Sequence, residues 1–350
     1  MVSTNERPGV YSSIEVSGSI NGARGGKVVG LAAVSASGVK GEVTRVLSVA
    51  GAIERFGADC ALTELIRILF LNGAFAVEAV PVSVGAASAA TSDYEAAFAA
   101  LMEKESVSIM VCDSADTVVQ GSMRAALLSA SENNKYRIGV VEAAGTVAEV
   151  CSAAKALNCE RIAMVYAAGE RDGACIGENA AAVAGIIASG TDPALPLNGA
   201  ELFGTAGVSR CFSDAEITVL IDSGLTPIER VGEAIYVVRG LTTRTTTGGE
   251  PDSTWRELTT VLIVDDVVPA VRSALRVKFP RVKNTLQTRG AIRTQVIIEL
   301  ENKLKREIIE SYGGVTAEAL QEDPTVCLVS FSFAVAHGLN RINLTAHISV

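Results

Sequence analysis

Between residues 74 and 190 the chain alternates strand-like and helix-like stretches four times over, and no other feature narrows its fold as much. The strand-like runs are AFAVEAVPVSV (74–84), VSIMVC (107–112), YRIGVV (136–141) and ERIAMVYA (160–167). Each is short and mostly apolar, as a strand covered on both faces must be. The intervening stretches carry apolar residues at helical spacing. The first has Tyr94, Phe98, Leu101 and Met102, the second Val119, Met123, Leu127 and Ala130, and the third Val147, Val150, Cys151 and Ala154. ENAAAVAGIIAS (178–189) follows, closed by Gly190. Ser92 with Glu95 and Thr146 with Glu149 have the spacing of capping boxes, in which hydroxyl and carboxylate satisfy backbone N–H groups at a helix start. Parallel strands need crossover connections, and helices supply them. The fold class read from the sequence is therefore α/β, a largely parallel sheet with helices on both faces.

The pattern extends on either side. KVVGLAAV, from Lys27, reads as a strand, and 60–72 as a helix with Leu62, Leu65, Ile66 and Leu69 on one face and Gly73 as its stop. Ser213 and Glu216 form another capping box before Ile217, Leu220 and Ile221, and Gly224 closes that helix. LTPIERV (225–231) and AIYVVRGLTT (234–243) read as a strand pair. TTRTTTGGEPDS (242–253) has no periodicity and marks an internal boundary. Beyond it lie two long helical patterns, 254–278 and 290–311. Pro269 is expected to kink or break the first. The second carries Ile298, Leu304 and Ile308 and ends at Gly313-Gly314. VCLVSFSFAV (326–335) is a further strand.

Both ends of the chain are strand-like. Near the start, Val10, Ile14, Val16 and Ile20 share one face and Tyr11, Ser13, Glu15 and Ser17 the other; NGARGGK then forms a hinge at Gly22, Gly25 and Gly26. At the end, Ile342, Leu344, Ala346, Ile348 and Val350 alternate with Arg341, Asn343, Thr345, His347 and Ser349. Such a strand exposes unpaired backbone groups. It either joins its own sheet or is donated to a neighbour's, and twelve extended residues reach about 40 Å. The residues alone leave both readings open.

Catalytic motifs are missing. No two of the 32 glycines are two positions apart, so G-x-G-x-x-G is absent, and the one Gly-Lys pair, Gly26-Lys27, lacks the rest of a P-loop. The histidines, His337 and His347, both fall in the last fourteen residues. Asp265-Asp266, the one adjacent Asp pair, reads as a solvated bend before Pro269 in preference to a metal site. Seven cysteines without C-x-x-C read as free thiols in a reducing compartment. A net charge of −9 argues against a nucleic-acid surface. Mean hydropathy is +0.34. Even so, no apolar run approaches the ~18–20 residues of a membrane helix. The first residues lack the pattern of a secretion signal. No cofactor and no metal is expected.

RPGVYSSIEV near the start resembles the Pro-Gly-Val-Tyr opening of contractile tail sheath proteins, found in phages and in related bacteriocin and injection particles. Further pieces fall in the family's order: KVVGLAAV, RFG (55–57), NAAAVAGIIA, LTPIERV and VVRGLTTRT, then two helices and a β-rich end. The resemblance implies an N-terminal arm and hinge at 1–26, an outer α/β domain at 27–241, a linker at 242–253, an inner domain at 254–325 and a C-terminal strand and arm at 326–350. It implies a non-enzymatic subunit of hexameric rings stacked helically around an inner tube. The sheath would contract to drive the tube through a target envelope, with baseplate and tail terminator proteins as further partners. Assembly would take place in the bacterial cytoplasm and the product would be a virion tail or a released particle. The arms to be exchanged are Val10, Tyr11, Ile14 and Val16 at one end and Ile342, Leu344, Ala346, Ile348 and Val350 at the other. ENKLKREIIE (301–310), with Lys303, Lys305 and Arg306, is the candidate tube-facing helix. The alternatives are a Rossmann-like enzyme with a non-standard ligand site and another shell-forming virion protein.

Overall fold

The computed structural model describes residues 27–85, 87–169 and 175–340. In chain order the α/β part comprises β1 (Val28–Ser35), β2 (Thr44–Val46), α1 (Val49–Phe56), α2 (Ala61–Leu71), β3 (Val77–Val84), α3 (Thr91–Glu103), β4 (Val107–Cys112), α4 (Thr117–Glu132), β5 (Ile138–Glu142), α5 (Val147–Leu157) and β6 (Ile162–Ala167). It continues with α6 (Glu178–Ser189), β7 (Glu201–Leu202), α7 (Asp214–Asp222), β8 (Leu225–Val231) and β9 (Ala234–Val237). The nine strands form one sheet in the order β2-β3-β1-β4-β5-β6-β8-β9-β7. Its six central strands are parallel, and β2, β9 and β7 pair antiparallel at the margins. The alternating block thus forms the parallel sheet that its sequence requires.

Helices cover both faces. On one face α1, α2 and α6 pack on Val29, Leu31, Ile109, Val111, Val140 and Val165; on the other α3, α4, α5 and α7 pack on Val80, Met110, Val141 and Met164. The contact of α2 with α6 is close because residue 185 is glycine. A Cβ there would lie 2.7 Å from the Asn72 Cβ and 2.9 Å from the Leu69 carbonyl oxygen.

The capping boxes at Thr146–Glu149 and Ser213–Glu216 form as read. The Ser92–Glu95 box does not. Helix α3 starts two residues earlier, with Ala90 at the N-cap; the Ala90 N–H donates to Asp93 (3.1 Å), and Glu95 instead accepts from the Ser122 hydroxyl of α4 (3.0 Å). With the N-cap at Ala90, Asp93 stands at the third helical position and Glu95 does not, so Asp93 takes the orphan donor.

The threonine-rich stretch after β9 is not a loose connection. Thr242 and Thr243 are fully buried. The Thr243 hydroxyl bridges the Cys159 backbone, accepting from its N–H and donating to its carbonyl (3.0 Å each), and the Asn158 amide donates to the Thr246 carbonyl (3.0 Å). Strands β10 (Thr246–Thr247) and β11 (Glu250–Pro251) close a small hairpin there. Threonine hydroxyls satisfy backbone that would otherwise be buried unpaired, so a polar, aperiodic stretch is fixed in place.

The C-terminal part contains α8 (Leu258–Lys278), α9 (Leu286–Lys305), β12 (Ile309–Ala319) and β13 (Cys327–Val335). Pro269 does not break α8, which stays helical through it. The second helix ends at Lys305, and residues 309–311 belong to a strand. Glu307, at φ 57°, reverses the chain, and Gly313-Gly314 forms an irregularity inside β12 rather than a helix stop. A separate core unites Ile263, Val267 and Val271 of α8, Val296 and Leu300 of α9, and Ile309 and Val315 of β12.

Candidate assembly interface

Strands β12 and β13 form a sheet of their own, antiparallel from Ile309↔Val335 to Ala319↔Cys327. Among the described residues neither strand has a second strand neighbour, so each has an outer edge without a ladder, although the Val315 carbonyl of β12 accepts from the Arg293 guanidinium (2.8 Å). A two-stranded sheet is marginal in isolation; this one rests on α9, which packs along β12. Tyr312 closes the contact by donating its hydroxyl to Glu301 (2.6 Å). The large sheet is different. Its edge strands, β2 and β7, have three and two residues, and short edges blunt edge-to-edge pairing.

Helix α8 is tied to the large sheet by charge, and α9 to α8. Asp265 and Asp266 lie within α8, not on a solvated bend. The Arg161 guanidinium, at the foot of β6, donates to both oxygens of Asp265 (2.7 and 2.5 Å), and Asp266 pairs with Lys303 of α9. The Tyr136 ring lies under Arg161 at 5.2 Å and under Arg272 of α8 at 5.5 Å. Burial raises the Asp265 carboxyl above the usual carboxylate range, against the opposing pull of Arg161 and Lys27. Burial likewise lowers the Lys27 ammonium, with Asp265 and Asp266 opposing. A cavity of about 610 Å³ opens beside these groups, at the amino ends of β1, β4 and β5.

Ligands of open α/β sheets bind at the opposite, carboxyl ends of the strands, where the strand order reverses. Here that reversal falls between β1 and β4, and the chain's own carboxylates fill the place. Asp113 accepts from the Val34 N–H (2.7 Å) and the Tyr94 hydroxyl (2.6 Å). Glu142 accepts from Gly177 N–H (2.6 Å), at the start of α6, and from Asn179. A phosphate seeking that helix start would meet a carboxylate already there. Among the described residues no group of three or more His, Cys, Asp or Glu side chains is arranged to hold a metal ion. The cysteines are free thiols; Cys112, Cys151 and Cys159 are buried and Cys211 is exposed.

Of the sequence candidates, the arms (Val10, Tyr11, Ile14, Val16, Ile342, Leu344, Ala346, Ile348, Val350) and the hinge (Gly22, Gly25, Gly26) lie outside the described residues. Lys303 is buried against Asp266, which corrects its reading as a surface contact. Lys305 and Arg306 are exposed at the end of α9, and Arg306 donates to the Thr191 carbonyl (3.2 Å). A stronger charge signal lies elsewhere and was available in the sequence. From Val267 to Ile298 there are seven cations (Arg272, Arg276, Lys278, Arg281, Lys283, Arg289 and Arg293) and no carboxylate, in a chain of net charge −9. The last turn of α8 and the connection to α9 expose Arg276, Lys278, Arg281 and Lys283 beside Val277, Val282 and Leu286.

Two family models match this chain: the phage tail sheath protein central domain over residues 87–243, and the phage tail sheath C-terminal domain over residues 250–349. Together they span most of its length. The chain belongs to the phage tail sheath protein family. Solved structures agree in fold. A sheath tail protein from Desulfitobacterium hafniense aligns at a TM-score of 0.70 with 12% identity, over 93% of this chain and 100% of that one. The helical sheath of the anti-feeding prophage in its contracted state aligns at 0.72 with 15% identity, over 98% and 99%. A sheath tail protein from Listeria innocua aligns at 0.68 with 13% identity, over 89% and 96%. No curated protein matches in sequence. The chain is thus a structural subunit of a contractile tail sheath. Among the described residues of this sheath protein, no helix is long and apolar enough to cross a membrane.

Proposed function

We propose that this sheath protein forms hexameric rings stacked helically around an inner tail tube, and that its rings rearrange to shorten the sheath and drive the tube through a target envelope. The observation that carries the reading is the C-terminal sheet. Among the described residues it has two long edges without a strand neighbour, of eleven and nine residues, while the large sheet closes with three and two. The segments at 10–20 and 342–350 have the alternation of strands and supply the complement. Strand addition of this kind binds through backbone hydrogen bonds and selects through alternate side chains. The anti-feeding prophage chain of the same fold is a helical sheath that has been observed contracted. The baseplate and a tail terminator are the further partners of this reading. The sheath protein would assemble in the bacterial cytoplasm and leave in a tail or tail-like particle.

The work is mechanical. The carboxyl-end crevice is occupied by Asp113 and Glu142, which favours a structural role over catalysis. For the tube, the basic turn between α8 and α9 is a better contact than 301–310, because its cations are exposed and unopposed along the sequence, and it fits an acidic tube surface.

Negative-stain microscopy tests the reading. The full chain, overexpressed and purified, forms tubes; the chain cut after Asn340 stays soluble, with unchanged circular dichroism. A full chain that remains monomeric, or closes into discrete shells, would refute it.

A further inference from the structure

Between α8 and α9 the chain is neither helix nor strand over residues 279–285. Arg276, Lys278, Arg281 and Lys283 crowd around this connection with no carboxylate among them. Like charges so close repel one another, and a segment without backbone pairing spreads over many conformations. One residue opposes this. Arg281, Val282, Lys283, Thr285 and Leu286 are exposed, whereas Asn284 among them is half-buried. Its side-chain amide donates to the Pro324 carbonyl (2.7 Å) and the Val326 carbonyl (3.2 Å), both in the turn between β12 and β13. Its Oδ1 accepts from Arg289 Nη1 of α9 (3.0 Å). A guanidinium only donates and a carbonyl only accepts, so a single orientation of the amide satisfies all three.

The turn that receives Asn284 is bonded within itself. The Leu320 N–H donates to the Val326 carbonyl and the Val326 N–H to the Asp323 carbonyl (3.0 Å each). Asp323 also accepts from the Thr325 N–H (2.9 Å) and hydroxyl (2.6 Å). The Val326 carbonyl thus serves the hairpin's closing bond and Asn284 at once. On the other side Thr285 caps α9, its hydroxyl accepting from the Thr288 N–H (3.2 Å). Among the described residues, the hydrogen bonds from 279–285 to the hairpin all come from Asn284. The connection is therefore seated on the end of the small sheet through one side chain.

We infer that Asn284 is the positioning residue of the tube contact: it fixes the connection on the hairpin turn, so that Arg281 and Lys283 meet the acidic tube surface together with Arg276 and Lys278 of α8. The assignment rests on the tube-contact reading above. It makes the hairpin and the grip on the tube one mechanical unit, because a shift of the 320–326 turn passes to the cations through the Asn284 amide. Without that amide the connection would have to be ordered anew at each encounter. Binding would weaken by about tenfold, the equivalent of immobilising one or two long side chains.

Asn284→Ala leaves every charge in place and tests the assignment in the full chain. Its polymers are imaged, hydrogen exchange is followed peptide by peptide, and co-sedimentation with the inner tube protein is measured across a range of salt. The parent and a variant with Arg276→Gln, Lys278→Gln, Arg281→Gln and Lys283→Gln are measured beside it. Asn284→Ala is expected to form tubes as the parent does and to exchange faster over 279–285, with 309–319 unchanged. It is expected to bind the inner tube about tenfold more weakly, with the parent's salt dependence. Binding equal to the parent's, unchanged exchange at 279–285, or faster exchange along the whole hairpin would each overturn the assignment. So would a variant that forms no tubes, since Asn284 would then be a structural residue. A four-Gln variant that binds the inner tube as the parent does would instead refute the tube-contact reading, and this inference would fall with it.

Discussion

Replacing Arg161 by Met tests whether α8 is locked to the large sheet by charge. Arg161 and Asp265 keep only 6% and 15% of their side-chain surface exposed. Removing one member of such a pair costs about 3–5 kcal/mol, because the other charge stays buried without its partner. At an unfolding entropy of ~2.1 cal/mol/K per residue, a chain of 350 residues should lose about 4–7 °C in Tm. The burial that raises Asp265 despite Arg161 gives a second signature. Without the guanidinium, its folded-state pKa rises further above the unfolded value. For a carboxyl raised in this way, the folded state binds the extra proton between the two values, so the deficit is full above the folded pKa and shrinks as pH falls through it. The gap between variant and parent should therefore be wider at pH 8 than at pH 5. Arg161→Met combined with Asp265→Leu leaves no orphan charge and should fall within about 1 kcal/mol of the parent. Urea unfolding of the chain cut after Asn340, followed by circular dichroism, measures all three. A loss below about 1 kcal/mol for Arg161→Met, a gap indifferent to pH, or a double variant as unstable as the single would refute the argument.

Two further outcomes follow from packing and charge. Gly185→Ala forces a methyl group into the α2–α6 contact and should cost about 1–3 kcal/mol in the same unfolding assay. Changing Arg276, Lys278, Arg281 and Lys283 together to Gln should leave tube-shaped polymers intact but abolish co-sedimentation with the inner tube protein. In the parent that co-sedimentation should weaken steeply with salt, as the screening length falls from about 10 Å at 0.1 M to about 3 Å at 1 M.

The α/β half was legible because its signals are local and repeated. Val119, Met123 and Leu127 recur at helical spacing and are buried as that spacing demands, and two of three capping boxes formed as written. What escaped depended on partners distant in sequence. Thr243 looks like linker until Cys159 is brought beside it, 84 residues away. Asp265-Asp266 looks like a wet bend until Arg161 and Lys303 arrive from either side. Strand β12 was hidden for another reason: Gly313-Gly314 is the usual mark of a helix end, and only the opposing β13 turns it into a tolerated irregularity. Of the proposed assembly surface, the alternation near the two ends was plain in the sequence and the open edges of the small sheet were not, since an edge is a property of a sheet and not of one strand.

Helix α8 sits in two cores at once. Leu258, Val261 and Leu262 pack under the large sheet, while Ile263, Val267 and Val271 pack against α9 and the small one. One continuous rod therefore serves as the spine of both halves. A pull on the hairpin would swing the α/β mass with it, because the same helix anchors both.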